Sequence, residues 1–331
     1  MPKRVTITDV ARAAGVSIMT VSRVVNDSGR VGATTRGAVQ RAIRELGYSP
    51  SQVARGLTTR KSMTIGLIVP DITNPFFPEI VRGAEDAAWN AGFVVSLANT
   101  VEDPGRERAA LRNMEGHRVD GVIVCSARLP TAELDELLRR HPATVLVNRR
   151  SGDAQATSLV VDDALGTRLA VEHLLSRGRR RIALVTGPDR SASAIARREG
   201  YVAALTNDRL AVDPDLVERG GPNEEDGYRA MHALSARRAH VDAVVAYNDL
   251  VALGVLRAAR ELGLEVPRDV AVVGCDDVRL ASLVTPALTT LRVDKYDLGR
   301  RAAALLFERL HGRVPADVTV DPELVTRASA P

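Results

Sequence analysis

Residues 6–26 of the chain read TITDVARAAGVSIMTVSRVVN, and this stretch decides how the N-terminal part folds. Thr6 suits the N-cap of a first helix, and Asp9 complements the positive end of that helix in its first turn. Gly15 ends the helix, because the left-handed conformation that closes a helix costs glycine little. Ser17 caps a second helix. The stretch therefore predicts two short helices joined by a glycine turn.

The two predicted helices have an apolar inner face and a polar outer one. Ala11 lets the two backbones approach closely, and the other inner residues are Val10, Ala14, Val16, Val21 and Val24. The outer face offers hydroxyls, an amide, a guanidinium and apolar groups, carried by Ser17, Ile18, Met19, Thr20, Ser22, Arg23 and Asn26. Such groups bind phosphates and base edges. The spacing therefore predicts a DNA-reading helix-turn-helix rather than an ordinary helical hairpin.

A third helix is predicted over Thr34–Leu46, since apolar residues recur on one of its faces and Gly47 follows as a stop signal. Three helices of this length can enclose a small core. We therefore expect residues 1–48 to form a helical DNA-binding domain.

Residues 49–61 read as a polar connector between two domains. Ser51 can cap a short helix that ends near Leu57. Isolated helices of fewer than ~12 residues are marginal in water, so we expect this hinge to become ordered only when something holds it.

The charge of the chain is unevenly distributed. Residues 1–61 contain eleven Lys or Arg against three acidic residues, a net charge of +8, whereas the whole chain carries +4. The remainder is therefore mildly acidic, at −4. A basic head is typical of a module that binds a polyanion, and counterion release would supply affinity for DNA.

From Met63 onward, apolar β-rich runs alternate with helical stretches. The predicted strands are 64–70, 94–99, 121–126, 144–148, 159–162, 182–186, 243–248 and 270–276, and helices are predicted at 78–91, 131–140, 166–176 and 249–262. Continuous apolar strands joined by helical crossovers indicate parallel sheets covered on both faces. The length favours two doubly wound lobes with a cleft between them, in which ligands bind at the carboxyl ends of the strands.

Several classes of protein are disfavoured. Cys125 and Cys275 lie in apolar runs, so two buried thiols are expected rather than a disulfide or a metal site. No segment is apolar enough for a membrane span or a signal peptide, which predicts a cytoplasmic protein. No cofactor is predicted either.

An enzyme is expected to carry a recognisable catalytic or cofactor-binding motif. The chain has no Gly-x-Ser-x-Gly elbow, Walker loop, Gly-x-Gly-x-x-Gly or His-Glu-x-x-His motif. The histidines are scattered and expected to face solvent: His117, His141, His173, His232, His240 and His311. A non-enzymatic protein is expected, with an enzyme or a solute-binding protein as remote alternatives. A solute-binding protein would account for two lobes but not for the basic head.

Several segments resemble the lactose/galactose repressor (LacI/GalR) family over essentially the whole chain. They are the helix-turn-helix, TRGAVQRAIRELGYSP (35–50), ARGL (54–57), DITNPFF (71–77) and the pair Asn248-Asp249 before a helix.

The resemblance implies a homodimeric transcription regulator of the repressor type, with a periplasmic-binding-protein-like effector domain at 62–331. The chain would cross three times between the lobes. Lobe one would be about 62–160 plus 291–320, and lobe two about 161–290 plus 321–331.

By matched positions, the resemblance also implies the contacts with operator DNA. Ile18, Met19 and Arg23 would face base edges, with the Arg23 fork suited to guanine O6 and N7. Phosphate contact or orientation would fall to Ser17, Thr20, Ser22 and Asn26. In the hinge, Ala54 and Leu57 would meet the minor groove, Leu57 as a wedge between base steps.

The effector contacts implied by the resemblance follow the ends of strands on both lobes. In lobe one and at the crossover they are Asp71, Phe76, Phe77, Asn148 and Asp162, and in lobe two Ser191, Ser193, Arg197, Asn248 and Asp276. Guanidinium, amide and carboxylate together suit the hydroxyls of a sugar or nucleoside. Asn248 and Asp276 have an alternative role as helix caps.

The class of effector stays open between a sugar or sugar derivative, a sugar phosphate, and a nucleoside, purine or other metabolite. Aromatic residues make up only 3% of the chain. Ring stacking must therefore come from Phe76 or Phe77 or be absent, since Trp89 lies in a helix where it is expected to be packed.

Overall fold

The computed structural model describes residues 5–48, 61–152, 156–237 and 240–331. The chain forms two compact units, Met1–Ser62 and Met63–Pro331. The predicted hinge, including Ala54 and Leu57, lies outside the described residues.

The first unit contains α1 (Ile7–Ala14), α2 (Ile18–Val25) and α3 (Ala33–Leu46). The Asp9 carboxylate accepts hydrogen bonds from the Thr6 backbone N–H at 3.0 Å and from its hydroxyl at 2.7 Å. Gly15 ends α1 in the left-handed conformation, with φ 65°. The core of the unit is formed by Val10, Ala11, Val21, Val24, Val39 and Ala42. The helix-turn-helix prediction is confirmed, and these caps explain why the helices begin and end there.

The second unit contains two sheets, each with six strands among the described residues. The strands of the first are β1 (Thr64–Val69), β2 (Val94–Asn99), β3 (Gly121–Cys125), β4 (Thr144–Val147), β5 (Ala156–Val161) and β11 (Val318–Val320). Those of the second are β6 (Ile182–Thr186), β7 (Val217–Arg219), β8 (Ala243–Ala246), β9 (Ala271–Asp276), β10 (Thr289–Arg292) and β12 (Glu323–Val325).

The order of strands places the ends of several strands around one cleft. The first sheet runs β11-β5-β4-β3-β1-β2 and is parallel throughout. The second runs β12-β10-β9-β8-β6-β7 and is parallel except where β12 pairs with β10. We call the first sheet, with the helices that cover it, lobe one, and the second sheet, with its helices, lobe two.

Helices cover both faces of each sheet. Those of lobe one are α4 (Phe76–Asn90), α5 (Pro104–Gly116), α6 (Thr131–Leu138) and α11 (Lys295–Leu310). Those of lobe two are α7 (Asp163–Ser176), α8 (Ala192–Asn207), α9 (Glu224–Ala236) and α10 (Asp249–Glu261). Leu67 packs in a core with α4 and α11, whereas Ile68 packs with α5 and α6. The predicted fold, a helical head followed by two doubly wound lobes, is confirmed.

The chain passes between the lobes at three points. It leaves lobe one after β5, returns from β10 to α11, and passes from β11 to β12 near its end. Three crossings of the chain therefore join the two lobes.

Two expectations about single side chains are wrong. Trp89 is 77% exposed, because Ala84 and Ala88 on the same helix face the sheet and leave Trp89 on the solvent side. His141 is buried after α6, and burial lowers its pKa. Cys125 and Cys275 are buried free thiols, as predicted.

Helices α4 and α11 cross so closely that their backbones nearly touch. A Cβ atom at Gly299 would lie 2.0 Å from the carbonyl oxygen of Ile80, and one at Gly83 would lie 2.0 Å from that of Tyr296. Neither backbone can move without disturbing the core of lobe one.

We predict that Gly299→Ala lowers the free energy of unfolding by about 1–3 kcal/mol, because the new methyl group forces the two helices apart. Gly116→Ala is the matched control, since the exposed Gly116 has no atom within 4 Å of the added Cβ. It should leave stability unchanged or raise it by up to about 1 kcal/mol. Urea unfolding of the two variants checks this, and equal midpoints would contradict the close crossing.

Candidate DNA-reading helix and ligand cleft

The N-terminal part of α2 presents apolar side chains to solvent. Ile18 is 48% exposed and Met19 is 64% exposed, although both are large hydrophobic residues. Exposed apolar groups on a short helix suit contact with another surface, such as a thymine methyl group.

Arg23 is the exposed cation of α2. Among the described residues no carboxylate pairs with it, whereas Arg12 pairs with Asp9 at 3.4 Å and Arg36 with Asp27 at 2.6 Å. Its guanidinium is therefore available to a partner outside the chain.

The remaining polar residues of α2 are joined to one another. The Ser17 hydroxyl accepts a hydrogen bond from the Thr20 backbone N–H at 3.2 Å and lies 2.9 Å from the Thr20 hydroxyl. The Asn26 amide donates to the Ser22 hydroxyl at 3.3 Å. These contacts fix the orientation of the side chains, and hydroxyl groups retain capacity for a further partner.

The cleft between the lobes contains two adjoining cavities. The inner cavity measures about 30 Å³ and is lined by Asn74, Phe76, Phe77, Glu102, Ser126, Arg128, Asn148, Ser193, Arg197, Pro222, Tyr247, Asn248 and Asp276. The outer cavity measures about 500 Å³ and is lined by Thr131, Asn148, Arg149, Arg150, Val160, Val161, Asp162, Asp163, Ala192, Ser193, Ile195, Ala196, Glu199 and Thr319. Asn148 and Ser193 line both.

The structure brings most of the sequence-predicted effector residues together. The inner cavity is lined by Phe76, Phe77, Asn148, Ser193, Arg197, Asn248 and Asp276, and the outer cavity by Asp162.

Asp71 and Ser191 are not among the lining residues of either cavity. The Asp71 carboxylate accepts hydrogen bonds from the backbone N–H of Thr73 at 2.9 Å and from its hydroxyl. Ser191 caps α8 and shares a hydrogen bond of 2.9 Å with the Tyr247 hydroxyl. Both side chains shape the loops that follow their strands.

Arg197 is held rigidly from two sides. Its Nε and one terminal nitrogen donate to Asp163 Oδ1 at 2.9 and 2.8 Å, the other terminal nitrogen donates to the Tyr247 carbonyl, and the guanidinium lies 4.8 Å from the Tyr247 ring centre. Burial lowers the pKa of Arg197, but Asp163 together with Cys275, Tyr247 and Asp276 outweighs burial, and the pKa is raised well above its usual value. Arg197 is therefore a fixed cation and donor at the cleft.

Asp276 faces Arg197 from the end of β9. Burial raises the pKa of its carboxyl group well above the usual range, and the charge of Arg197 offsets part of this effect. The Lys295 ammonium group donates to the carbonyl oxygens of Asp276 at 2.8 Å and Asp277 at 3.0 Å. Lys295 therefore holds the backbone that carries this carboxyl group.

Asn248 has a structural role as well as a place in the cavity. Its side-chain oxygen accepts from the Val251 N–H at 2.9 Å, and its amide nitrogen donates to the Pro222 carbonyl at 2.8 Å. The amide thus caps α10 and joins it to the loop before α9.

Six residues that line the inner cavity were not predicted from the sequence: Asn74, Glu102, Ser126, Arg128, Pro222 and Tyr247. Arg128 is buried, with Nε and a terminal nitrogen donating to Glu102 at 2.5 and 3.1 Å. It follows β3 as Asn148 follows β4, so the rule that ligands bind at the carboxyl ends of parallel strands could have found it. The same rule could have found Tyr247, which directly follows β8.

The fold and the site define a class of protein: a helix-turn-helix head joined to a two-lobed ligand-binding body. Residues 6–51 match the model of bacterial regulatory proteins of the lacI family, and residues 171–330 match that of a periplasmic binding protein-like domain. The chain is 38% identical over 329 residues to the HTH-type transcriptional repressor PurR of Pectobacterium carotovorum, covering 98% of this chain and 96% of that protein.

Two solved structures are similar to the chain over almost its whole length. The lac repressor dimer bound to operator and the anti-inducer ONPF is 31% identical with a TM-score of 0.88, covering 99% of both chains. The complex of the transcriptional regulator CelR with cellobiose is 34% identical with a TM-score of 0.76, covering 98% of this chain and 100% of that one. The chain belongs to the LacI family and is a transcriptional regulator.

Within the described ranges, no helix is long and apolar enough to span a membrane, and no group of His, Cys, Asp or Glu side chains is arranged to hold a metal ion. The relatives named above are regulators of transcription rather than enzymes.

Asp249 is buried behind the cleft, and its carboxyl group has an unusual pKa. Its carboxylate accepts from the Thr290 hydroxyl at 2.5 Å and from the Val278 N–H at 2.8 Å. Burial raises its pKa from 3.8 to about 7. Between these two values the folded protein binds more protons than the unfolded chain, so this group makes the free energy of unfolding fall as pH rises.

We predict that Asp249→Asn, which can keep the hydrogen bond from Val278, gains stability relative to the native sequence as pH rises from about 4 to about 7. Denaturant unfolding at several pH values measures the difference. Asp269→Asn is the control, because Arg268 lowers the pKa of this surface aspartate. The difference in free energy of unfolding between Asp269→Asn and the native sequence should therefore stay constant over the same pH range. Parallel profiles for Asp249→Asn and the native sequence would contradict the assignment.

Proposed function

We propose that the protein is a cytoplasmic, non-enzymatic repressor that binds a pseudo-palindromic operator as a homodimer and is controlled by a small polar effector, a sugar or sugar derivative. The observation that carries the proposal is the combination of an exposed Arg23 on α2, which pairs with no carboxylate in the described part of the chain, with a polar cavity between the two lobes. The domains would be the DNA-binding head at 1–48, the hinge at 49–61 and the effector domain at 62–331.

For DNA, we propose that Arg23 reads a guanine and that Ile18 and Met19 make apolar contacts with bases. Phosphate contact and orientation fall to Ser17, Thr20, Ser22 and Asn26. The exposure of Ile18 and Met19 supports these roles. The proposed minor-groove contacts of Ala54 and Leu57 rest on the sequence alone.

Arg23→Ala should cost about 1–3 kcal/mol of specific binding at one base pair in each half-site, because the bidentate contact with guanine is lost. The preferred site is obtained by selection from a random duplex library, and affinities for single-base variants are then measured by fluorescence anisotropy. Arg12→Ala is the control, since Arg12 is paired with Asp9 on α1 and should leave the base preference intact. An Arg23→Ala protein with unchanged base preference would contradict the proposal that Arg23 reads a guanine.

Dimer formation is supported by exposed apolar side chains at one edge of lobe one and on a loop of lobe two. Strand β2 is the last strand of its sheet, and Val94 and Leu97 on it are exposed. Leu280 and Leu283 are exposed in lobe two. We propose that these residues pair with a second copy of the chain, which covers the open strand edge.

For the effector, we propose contact with Phe76, Phe77, Asn148, Ser193, Arg197, Asn248 and Asp276, and with Asp162 in the outer cavity. Arg197 offers donors and Asp276 an acceptor, so the pair can bind adjacent hydroxyl groups. The two phenyl rings, 5.2 Å apart and nearly perpendicular, give the cavity an apolar wall. The CelR complex with cellobiose supports a sugar, and a nucleoside or purine is the second candidate.

Asp276→Asn should leave operator affinity near that of the native protein without effector but abolish the response to effector. Effector can shift DNA binding only through unequal affinity for two arrangements of the lobes, and the variant loses a contact on which that difference depends. A thermal-shift screen of sugars and nucleosides supplies the compound, since a ligand at 100 times its Kd adds about 2.7 kcal/mol. Arg198→Ala, at the exposed neighbour of Arg197, should respond normally. A full response from Asp276→Asn would refute this pocket.

A further inference from the structure

A further cavity, which we call the groove, lies on lobe two between the first two turns of α8 and the edge strand β7. It measures about 380 Å³, and its lining residues all lie between Thr186 and Arg219 in the chain. The cavities of the cleft are lined from both lobes instead, and within the described part of the chain they share only Ile195 with the groove. The groove is therefore a separate place on the molecule, and a change in the angle between the lobes leaves it intact.

One wall of the groove is held in place by Tyr247. A Cβ atom at Gly187, which lines the groove, would lie 2.5 Å from the Tyr247 ring, and the Ser191 hydroxyl lies 2.9 Å from the Tyr247 hydroxyl. The loop that follows β6 is thus fixed at two points. A volume of about 380 Å³ falls within the range of roughly 300–1,000 Å³ typical of small-molecule sites, which are usually preformed.

Another part of the lining is apolar. Ala194 and Ile195 contribute to it from α8, and Val212, Pro214 and Val217 from β7 and the segment before it. Ile195 is 52% exposed, so a ring or chain that covers it removes aliphatic surface from solvent. Removal of this surface from solvent favours the binding of an apolar body.

Two guanidinium groups also line the groove, and both are available to a ligand. Arg198 is exposed and pairs with no carboxylate among the described residues. Arg219 pairs with Asp189 at 3.4 Å, but these two side chains are 70% and 74% exposed. Because an ion pair that exposed contributes little free energy, Arg219 can exchange Asp189 for another anion. Guanidinium groups bind carboxylate and phosphate groups through paired hydrogen bonds.

We propose that the groove binds a small organic anion, in which an apolar ring or chain carries a carboxylate or phosphate group. The anionic group lies between Arg198 and Arg219, and the apolar part lies against Ile195 and Val217. This second ligand site goes beyond the proposed function, because it lies outside the cleft that holds the effector. Arg197 and Arg198 are neighbours on α8 but line different sites, the inner cavity and the groove.

Phenyl phosphate and benzoate are the probes, since they share a ring and differ in the anionic group, and benzyl alcohol is the uncharged control. Their binding to the full-length protein is measured by ligand-observed NMR titration in a buffer without phosphate. At least one anion should bind with a Kd of about 1 mM or lower, and benzyl alcohol about ten-fold more weakly or not at all. The tighter of the two anions distinguishes a phosphate ligand from a carboxylate ligand. High salt should weaken binding, because the guanidinium groups are exposed.

Three variants test the part played by the two arginines. Arg198→Ala and Arg219→Gln should each weaken binding of the anion about ten-fold, because a charge-assisted hydrogen bond is lost. Both residues are exposed, so the variants are expected to fold as the native protein does. Arg190→Ala is the matched control, since Arg190 is an exposed arginine of the loop after β6 that does not line the groove. It should bind the anion with native affinity.

Methyl NMR spectra of the full-length protein locate the bound anion. Signals of Val212 and Val217, which line the groove, should shift on titration, whereas those of Val160 and Val161, which line the outer cavity of the cleft, should not. Shifts confined to Val160 and Val161 would place the anion in the cleft and overturn the inference. Native affinity in both Arg198→Ala and Arg219→Gln, or no measurable binding of either anion, would overturn it as well.

Discussion

A buried ammonium group joins the two lobes, and the shape of the ligand cleft depends on it. Lys295 is the first residue of α11 in lobe one, yet its Nζ donates to the carbonyls of Asp276 and Asp277 at the end of β9 in lobe two. Those aspartates have φ of 121° and 48°, which is costly for residues other than glycine. A buried cation requires acceptors, so Lys295 holds these carbonyls in place and Asp276 remains at the cleft.

The other buried charges of the cleft are balanced within each lobe. Arg128 pairs with Glu102 in lobe one, and Arg197 pairs with Asp163 in lobe two. Removing one partner of a buried pair costs several kcal/mol because the other charge is left uncompensated. Since neither pair spans the lobes, a change in the angle between the lobes breaks neither of them. The cleft can therefore combine fixed charges with movement between its walls.

Much of the local structure follows from the sequence because its causes are local. Thr6, Gly15 and Ser17 act on backbone groups within a few residues, so the ends of α1 and α2 are predicted correctly. Apolar strands between helical stretches likewise predict parallel sheets, and the residue after each strand is a sound candidate for the cleft, as Asn148 and Asp276 show. Strand β5 begins earlier than predicted, at Ala156, because pairing with β4 extends it beyond its most apolar part.

The sequence by itself thus determined the helix-turn-helix, the doubly wound lobes and eight of the residues that line the cleft, because capping, periodicity and strand ends depend on near neighbours in the chain. Only the tertiary structure decided that the Ser191 hydroxyl bonds to that of Tyr247 and that Trp89 faces solvent. It also decided the sizes of the two cavities. These features depend on how segments that are distant in the chain pack together, and no pattern of adjacent residues records that packing.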